Sequence, residues 1–346
     1  MNIRQSMAAG FLLSAALFLI PLFTVEPYSF AEPERHEGPV EEQEEQGIPQ
    51  EPASEQVRDR HTILKVLSGE TVTEMTMEEY LAGVVRAEMP AGFELEALKA
   101  QATAARTYTL YKMQSGGNHG ETADICTDSA CCQAFTGEAE AKVNWGEMAE
   151  QYEQKIRRAV AETDGQAVLF GGVPVLAVFH ASSAGQTRPA GEVWSSDLPY
   201  LQAVTSQEAG ASIPNYYSRT VFELDVFSAK LKEAYDGIVL SDDPREWLRE
   251  PVTDSVGNVR TVNVGGLTVK GTSLRNTLGL RSACFEWEIQ GDSIVFFTTG
   301  HGHGVGMSQY GANQMAEDGA DWKSILTHYY TGVSVEAYDF TNAFAA

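Results

Sequence analysis

Residues 76–110, TMEEYLAGVVRAEMPAGFELEALKAQATAARTYTL, decide how the chain reads. Thr76 and Glu79 have the Ser/Thr-x-x-Glu spacing of a capping box, so a helix is expected to start there and Pro90 to stop it. Leu81, Val84 and Val85 form an apolar stripe at i, i+3 and i+4, and the next position on that face is Glu88. A carboxyl that points where the core points loses solvation in its charged form, so its pKa rises and it can act as a general acid near neutral pH. The competing expectation is a Glu neutralised by Arg86 or Arg106. A second helix is expected from about Glu94 to Leu110, kept thin by Ala97, Ala100, Ala102, Ala104 and Ala105. The two helices would form a hairpin that brings Arg106 near Glu88.

The 346 residues, 43% hydrophobic, suffice for one large domain or two lobes. A net charge of −24 argues against a nucleic-acid partner, whose phosphates would be repelled. Residues 8–25, AAGFLLSAALFLIPLFTV, are uncharged and apolar; eighteen helical residues rise roughly 27 Å, enough for a bilayer core. Arg4 before the run and Glu26 after it place residues 1–7 in the cytoplasm and everything downstream outside. A cleaved signal peptide ending at Ser29-Phe30-Ala31 is the alternative, and the anchor is preferred. Residues 26–61 are Glu-, Gln- and Pro-rich and read as a disordered linker before a folded domain at 62–346.

His119, Cys126, Cys131 and Cys132 fall in a short loop, GGNHGETADICTDSACCQAF, that has little core of its own. Imidazole and thiolates suit a structural zinc ion, while outside the cell a disulfide, most simply Cys126 to Cys131, is the other expectation. Cys284 in RSACFEW is expected to be a buried apolar residue.

Beyond Gly165 the pattern turns to strands. QAVLF and PVLAVFH around Gly171-Gly172 predict a β-hairpin that delivers His180 to the loop ASSAGQT, where His180, Ser182, Ser183 and Gln186 line a sugar groove or simply satisfy one another. The serines lack the strand-turn-helix setting of a hydrolase nucleophile. DSIVFFTTG predicts a strand, GHGHGVGMS a Gly-rich turn open to close approach by a sugar chain, and Gln309–Ala316 and Trp322–Tyr330 two helices. His301 and His303 alternate along an extended backbone and are not expected to face the same way. Residues 204–290 alternate polar and apolar and should complete a β-rich part.

EEYLAGVVRAEMP followed by LEALKAQATAARTY, the ICTDSACCQAF loop, VFHASSAGQT with its EVW, and GHGHGVGMSQYGA together resemble the sporulation protein D family of peptidoglycan lytic transglycosylases, from about residue 62 to the end. The resemblance implies an α+β fold in which a helical hairpin carrying the catalytic Glu packs on a β-rich domain. It implies Glu88 as acid and base with Arg106 beside it. His180, Ser182, Ser183, Gln186, Tyr200, His303, Gly304, Gly306, Ser308, Gln309 and Tyr310 would bind the glycan. It further implies zinc held by His119, Cys126 and Cys132, with Cys131 standing where family members often have a His. The implied setting is septal wall degradation during engulfment, at the mother-cell membrane, on glycan whose stem peptides the amidase sporulation protein P has removed, and in a complex with the membrane protein sporulation protein M. A zinc-dependent wall amidase or peptidase and a non-catalytic wall-binding scaffold are the alternatives.

Overall fold

The computed structural model describes residues 58–339, apart from 118, 195 and 209. The expected anchor at 8–25 and nearly all of the expected linker lie outside the described residues. Among the described residues no helix is long and apolar enough to cross a membrane. The folded part starts slightly before the expected boundary, since Asp59 is buried and the side chain of Asp164 accepts from the backbone N–H groups of Asp59 and Arg60.

The first region holds β1 (Ile63–Ser68), β2 (Thr71–Thr76), α1 (Met77–Glu88), α2 (Leu95–Gln114) and β3 (Ile125–Cys126). β1 pairs with β2 antiparallel and with β3 in parallel. Thr76 caps α1 with both halves of the capping box made, and Met89 ends it in extended conformation. α2 is buried on every side, because its alanines let α1 and the later helices α4 (Ala149–Glu162), α8 (Gln309–Glu317) and α9 (Trp322–Tyr329) approach a narrow cylinder. The polar stretch after Gly137 forms two helices, α3 (Glu138–Trp145) and α4 (Ala149–Glu162), broken at Gly146.

β4 (Gln166–Phe170) turns through Gly171-Gly172 into β5 (Val173–Pro174), but the expected hairpin ends there. The chain leaves the sheet, and His180 lies instead in β6 (Phe179–His180), which pairs in parallel with β13 (Met307–Ser308). The short helix α5 (Ala190–Val193) follows.

From β7 (Tyr217–Glu223) the chain makes an excursion through α6 (Leu224–Ala234), β8 (Leu248–Thr253), β9 (Val259–Val264), β10 (Leu267–Lys270), α7 (Gly271–Leu278), β11 (Phe285–Gln290) and β12 (Ser293–Thr299). Two three-stranded antiparallel sheets, ordered β10-β9-β8 and β11-β12-β7, enclose a separate core around Phe227, Trp247, Phe285 and Phe296. Gly300 N–H closes the excursion on the carbonyl of Tyr216 at 2.9 Å. The chain then returns through β13, α8 (Gln309–Glu317), α9 (Trp322–Tyr329) and β14 (Ser334–Ala337), which pairs with β4. This return lays the N-terminus of α8 against the α1–α2 hairpin.

Candidate active site and metal-binding loop

Leu81, Val84 and Val85 are 0% exposed, and one turn on Glu88 emerges half-buried from the same stripe. Ala134 N–H donates to its Oε1 at 2.9 Å and Gln309 Nε2 reaches its Oε2 at 3.5 Å. Gln309 Nε2 also lies 3.3 Å from Gln101 Oε1 on α2. Burial pushes the Glu88 carboxyl above the usual carboxylate range, against the opposing effect of those two neutral donors.

Neither candidate counter-ion reaches it. Arg86 forks onto Glu153 at 2.9 and 2.6 Å. Arg106, 1% exposed, lies 3.1 Å from Asp59 and donates to the carbonyls of Thr163 at 2.7 Å and Val160 at 3.3 Å. Among the described residues no basic nitrogen lies within 4.0 Å of the Glu88 carboxyl. The expected approach of Arg106 to Glu88 is therefore corrected: the α2 residue that shares Gln309 with the acid is Gln101, and Arg106, five residues further along, is turned about 140° around the helix.

Phe93 and Tyr310, the residue after Gln309, meet edge to face at 4.9 Å. With Gly92, Ser212, Ile213, Asn313, Gln314 and Glu317 they line a cleft of about 260 Å³ that offers aromatic faces, amides and one carboxyl, groups that suit a sugar ring.

The cysteine loop docks directly on this site. Phe135 lies over α1 at Gly83, where an added Cβ would sit 2.0 Å from the ring, and Thr136 N–H donates to the Gly83 carbonyl at 3.0 Å. One ligand atom from each of His119, Cys126, Cys131 and Cys132 lies within 4.8 Å of the others. None of the three cysteines is in a disulfide. The separations are 3.8 Å between the Cys131 and Cys132 sulfurs, and 3.5 and 3.7 Å from His119 Nε2 to those two sulfurs. A tetrahedral zinc with its usual bond lengths requires edges of about 3.8 Å between sulfurs and about 3.6 Å between sulfur and nitrogen. The donor set fits that ion, and the structure brings Cys131 in as a fourth member beside the three expected ligands. Cys284 is buried away from this loop and near the Val256 carbonyl, as expected.

His180 Nδ1 donates to the Val305 carbonyl at 3.2 Å, which leaves Nε2 to accept from Ser183 Oγ at 2.7 Å. Burial drives the His180 pKa down to about 3, so the ring is neutral. Ser183 is 3% exposed and its N–H is held by Glu208, so this pair ties the loop together and does not present a nucleophile. His303 faces His180 and Trp194 with ring centroids at 5.6 and 5.3 Å, whereas His301 faces Arg281, so the expected alternation is present.

Gln186 and Gly304 line a small enclosed recess with Ser182, Ser183 and His303. Gly306, at φ +71°, would place a Cβ 2.1 Å from the Val178 carbonyl. The glycine there admits the protein's own strand, a correction to the expectation of a turn open to sugar. Ser308 caps α8, setting Gln309 and Tyr310 in the first turn beside Glu88. Tyr200 is not part of this cluster; it packs on Phe170 and its hydroxyl accepts from Leu176 N–H.

Glu208 has no sequence signal. It sits in the irregular stretch TSQEAG, yet its Oε1 accepts from Ser183 N at 2.8 Å, Ser206 Oγ at 2.9 Å and Ser308 Oγ at 2.6 Å. Burial pushes its pKa up to about 7. It joins the loop after His180 to the start of α8.

A family model described as SpoIID, stage II sporulation protein, matches residues 68–170. The chain is 36% identical over 342 residues to stage II sporulation protein D of Bacillus subtilis (strain 168), covering 96% of each chain. It is 38% identical over 282 residues to stage II sporulation protein D of Bacillus amyloliquefaciens, covering 81% of this chain and 80% of that one. Similarity to the amidase enhancer of Bacillus subtilis (strain 168) is 26% and covers 75% of this chain but 40% of the enhancer.

Proposed function

The chain belongs to the stage II sporulation protein D family, and from that premise we propose that it acts in sporulation as a peptidoglycan lytic transglycosylase cleaving between N-acetylmuramic acid and N-acetylglucosamine. The observation that carries the reading is Glu88: one half-buried carboxyl with raised pKa, held by neutral donors and, among the described residues, without a cation, in contact with Gln309, whose neighbour Tyr310 lines an aromatic cleft. Hydrolytic glycosidases need a second carboxyl to attack or to activate water. Glu208, the other carboxyl with raised pKa on this side, turns Oε1 to Ser183, Ser206 and Ser308, and its Oε2 is buried.

In this mechanism one acid suffices. Protonated Glu88 gives its proton to the glycosidic oxygen as the C1–O bond breaks. The resulting carboxylate takes the proton of the muramic C6 hydroxyl, whose oxygen closes on C1 as the 1,6-anhydro ring. The nucleophile is tethered to the substrate, which supplies proximity without a bound water. Ala134 N–H and Gln309 stabilise the carboxylate stage and fix its direction.

We assign zinc to the loop as a structural ion held by His119, Cys126, Cys131 and Cys132. Four protein ligands close the coordination sphere, whereas catalytic zinc keeps a position open, so the donor set favours this role over that of a metalloamidase. A membrane anchor at residues 8–25, action at the mother-cell membrane during engulfment, and cooperation with the amidase sporulation protein P and with sporulation protein M are part of the same proposal.

The test is mass spectrometry of purified glycan strands after incubation with the protein and with Glu88→Gln. The reading requires 1,6-anhydro-muramic ends from the first and none from the second. Hydrolysed reducing ends, peptide release, or no product at all would remove it.

A further inference from the structure

Gly83 lies inside α1, where glycine disfavours a helix relative to alanine. The backbone there does not ask for glycine, because its φ lies outside the left-handed region. The position lacks room instead: three ring atoms of Phe135 lie 2.0, 2.4 and 2.6 Å from where a Cβ would be. The same ring stacks on Tyr80 of α1, with centroids 6.1 Å apart and planes at 19°. Phe135 also borders a groove of about 310 Å³ shared with Met75, Arg86, Gly137 and Arg157. A side chain at 83 would therefore push the ring toward open space while α1, a better helix with alanine, stays in place.

The ring cannot move without the backbone beside it. Ala134 N–H donates to Glu88 Oε1 at 2.9 Å and Thr136 N–H to the Gly83 carbonyl at 3.0 Å, so the loop is tied to α1 on both sides of Phe135. Upstream, Gln133 is 2% exposed, and its Nε2 donates to Tyr80 Oη and Thr109 Oγ1, both at 3.3 Å. Tyr80 Oη in turn donates to the Cys126 carbonyl at 3.1 Å. Gln133, Phe135 and Thr136 thus grip the helical hairpin, and Ala134, with a methyl for a side chain, takes its direction from them. The groups that face the Glu88 carboxyl are Ala134 N–H from the loop and Gln309 from α8, with Gln101 of α2 behind Gln309; among the described residues no neighbouring charge acts on it.

We propose that Gly83 and Phe135 are positioning residues for the acid: the bare position at 83 seats the Phe135 ring on α1, and the seated ring holds Ala134 N–H on Glu88 Oε1. The consequence for cleavage rests on the reading above, whereas the placement of the N–H does not.

The first measurement is the titration of Glu88 in the full chain by 13C NMR with labelled glutamate carboxyls, its resonance assigned by Glu88→Gln. Ala134 N–H stabilises only the carboxylate, so losing it should raise the Glu88 midpoint; Gly83→Ala should move it up by about one pH unit, the effect of one hydrogen bond to a charged group. Phe135→Ala should move it the same way. In Gly83→Ala/Phe135→Ala the new methyl meets no ring, so the double variant should match Phe135→Ala alone. The second measurement is glycan cleavage, where Gly83→Ala should lower kcat about tenfold and change KM less than about twofold. A purely structural role would lower the melting temperature and leave the Glu88 midpoint where it is, and that result overturns the proposal. So does a Gly83→Ala effect that persists in full on top of Phe135→Ala, or a shifted midpoint with unchanged kcat in a protein that cleaves. If the parent cleaves no glycan, the reading above falls, and the midpoints still decide the placement of the N–H. Should Gly83→Ala fail to fold, Phe135→Ala decides: an unmoved Glu88 midpoint there sinks the proposal.

Discussion

Two charged side chains on one helical hairpin have opposite surroundings. Arg106 in the middle of α2 is enclosed and satisfied, with Asp59 as counter-ion and two carbonyls as acceptors. Glu88 at the end of α1 has two neutral donors, one of them at 3.5 Å, and no cation among the described residues. A buried charge that is fully paired holds structure, and removing its partner is costly. A half-buried carboxyl left with weak neutral partners keeps a raised pKa and can exchange a proton, which is a condition for acid catalysis.

The sharpest way to break this comparison is Glu88→Gln. Glycan cleavage should fall by at least about 10³-fold, within the range of general acid catalysis. Thermal stability should change by less than about 1 kcal/mol, because the amide keeps an acceptor for Ala134 N–H. Measurable cleavage near the starting rate would show that the acid lies elsewhere.

Arg106→Met should do the reverse, lowering stability by about 3 kcal/mol in urea denaturation because Asp59 is left buried without its cation. Replacing Asp59 by Leu as well should restore part of the loss. Activity per folded molecule should survive; a kcat defect in fully folded Arg106→Met would return Arg106 to the site.

Stripping metal with a chelator, or Cys126→Ser, tests whether the loop supports Glu88. The melting temperature should drop by about 5 °C or more, what roughly 2 kcal/mol produces in a domain of this size. Cleavage should fall with it, since Ala134 lies two residues after Cys132 and supplies the shorter hydrogen bond to Glu88. Added zinc should restore both. An unchanged melting curve together with a mapped disulfide would remove the ion.

A further effect is in pH. Glu208 goes from an ordinary value of 4.5 to about 7 on folding, so the folded state holds its proton more tightly than the unfolded chain does. Its stabilising contribution is complete below about pH 4.5 and is lost as pH rises through about 7. Comparing urea midpoints of the protein and Glu208→Gln at pH 5 and pH 8 isolates the term, and an identical slope in both would refute it. Cleavage should also decline as rising pH removes the proton from Glu88, whose folded pKa is raised.

Local features were legible without coordinates. The capping box at Thr76, the stop at Pro90, the alanine-thinned α2 and the helices after Ser308 and Asp321 are written in residue types whose backbone effect acts within a turn. The clustering of His119, Cys126, Cys131 and Cys132 was legible because four potential ligands occur within fourteen residues. The PVLAVFH segment misled, because apolar β-branched residues signal burial and leave the partner strand open; β6 pairs with β13, more than a hundred residues away.

The sequence by itself determined that a carboxyl would stand on the apolar face of α1, because i+7 spacing fixes direction around a helix. It also determined the soft-ligand composition of the loop. Only the tertiary structure decided what neutralises that carboxyl. Arg86 and Arg106 were both close in sequence, and each found a carboxylate on another element, while the donors that reach Glu88 come from Ala134 and Gln309, 46 and 221 residues away. Glu208 and Arg281 belong to the same class. Neither lies in a periodic pattern, and each acquires its surroundings when Ser183, Ser308 or His301 is brought to it by the fold. A pattern repeats over a few residues, whereas a desolvated charge is governed by whatever lies within a few ångströms, and only the folded chain sets that.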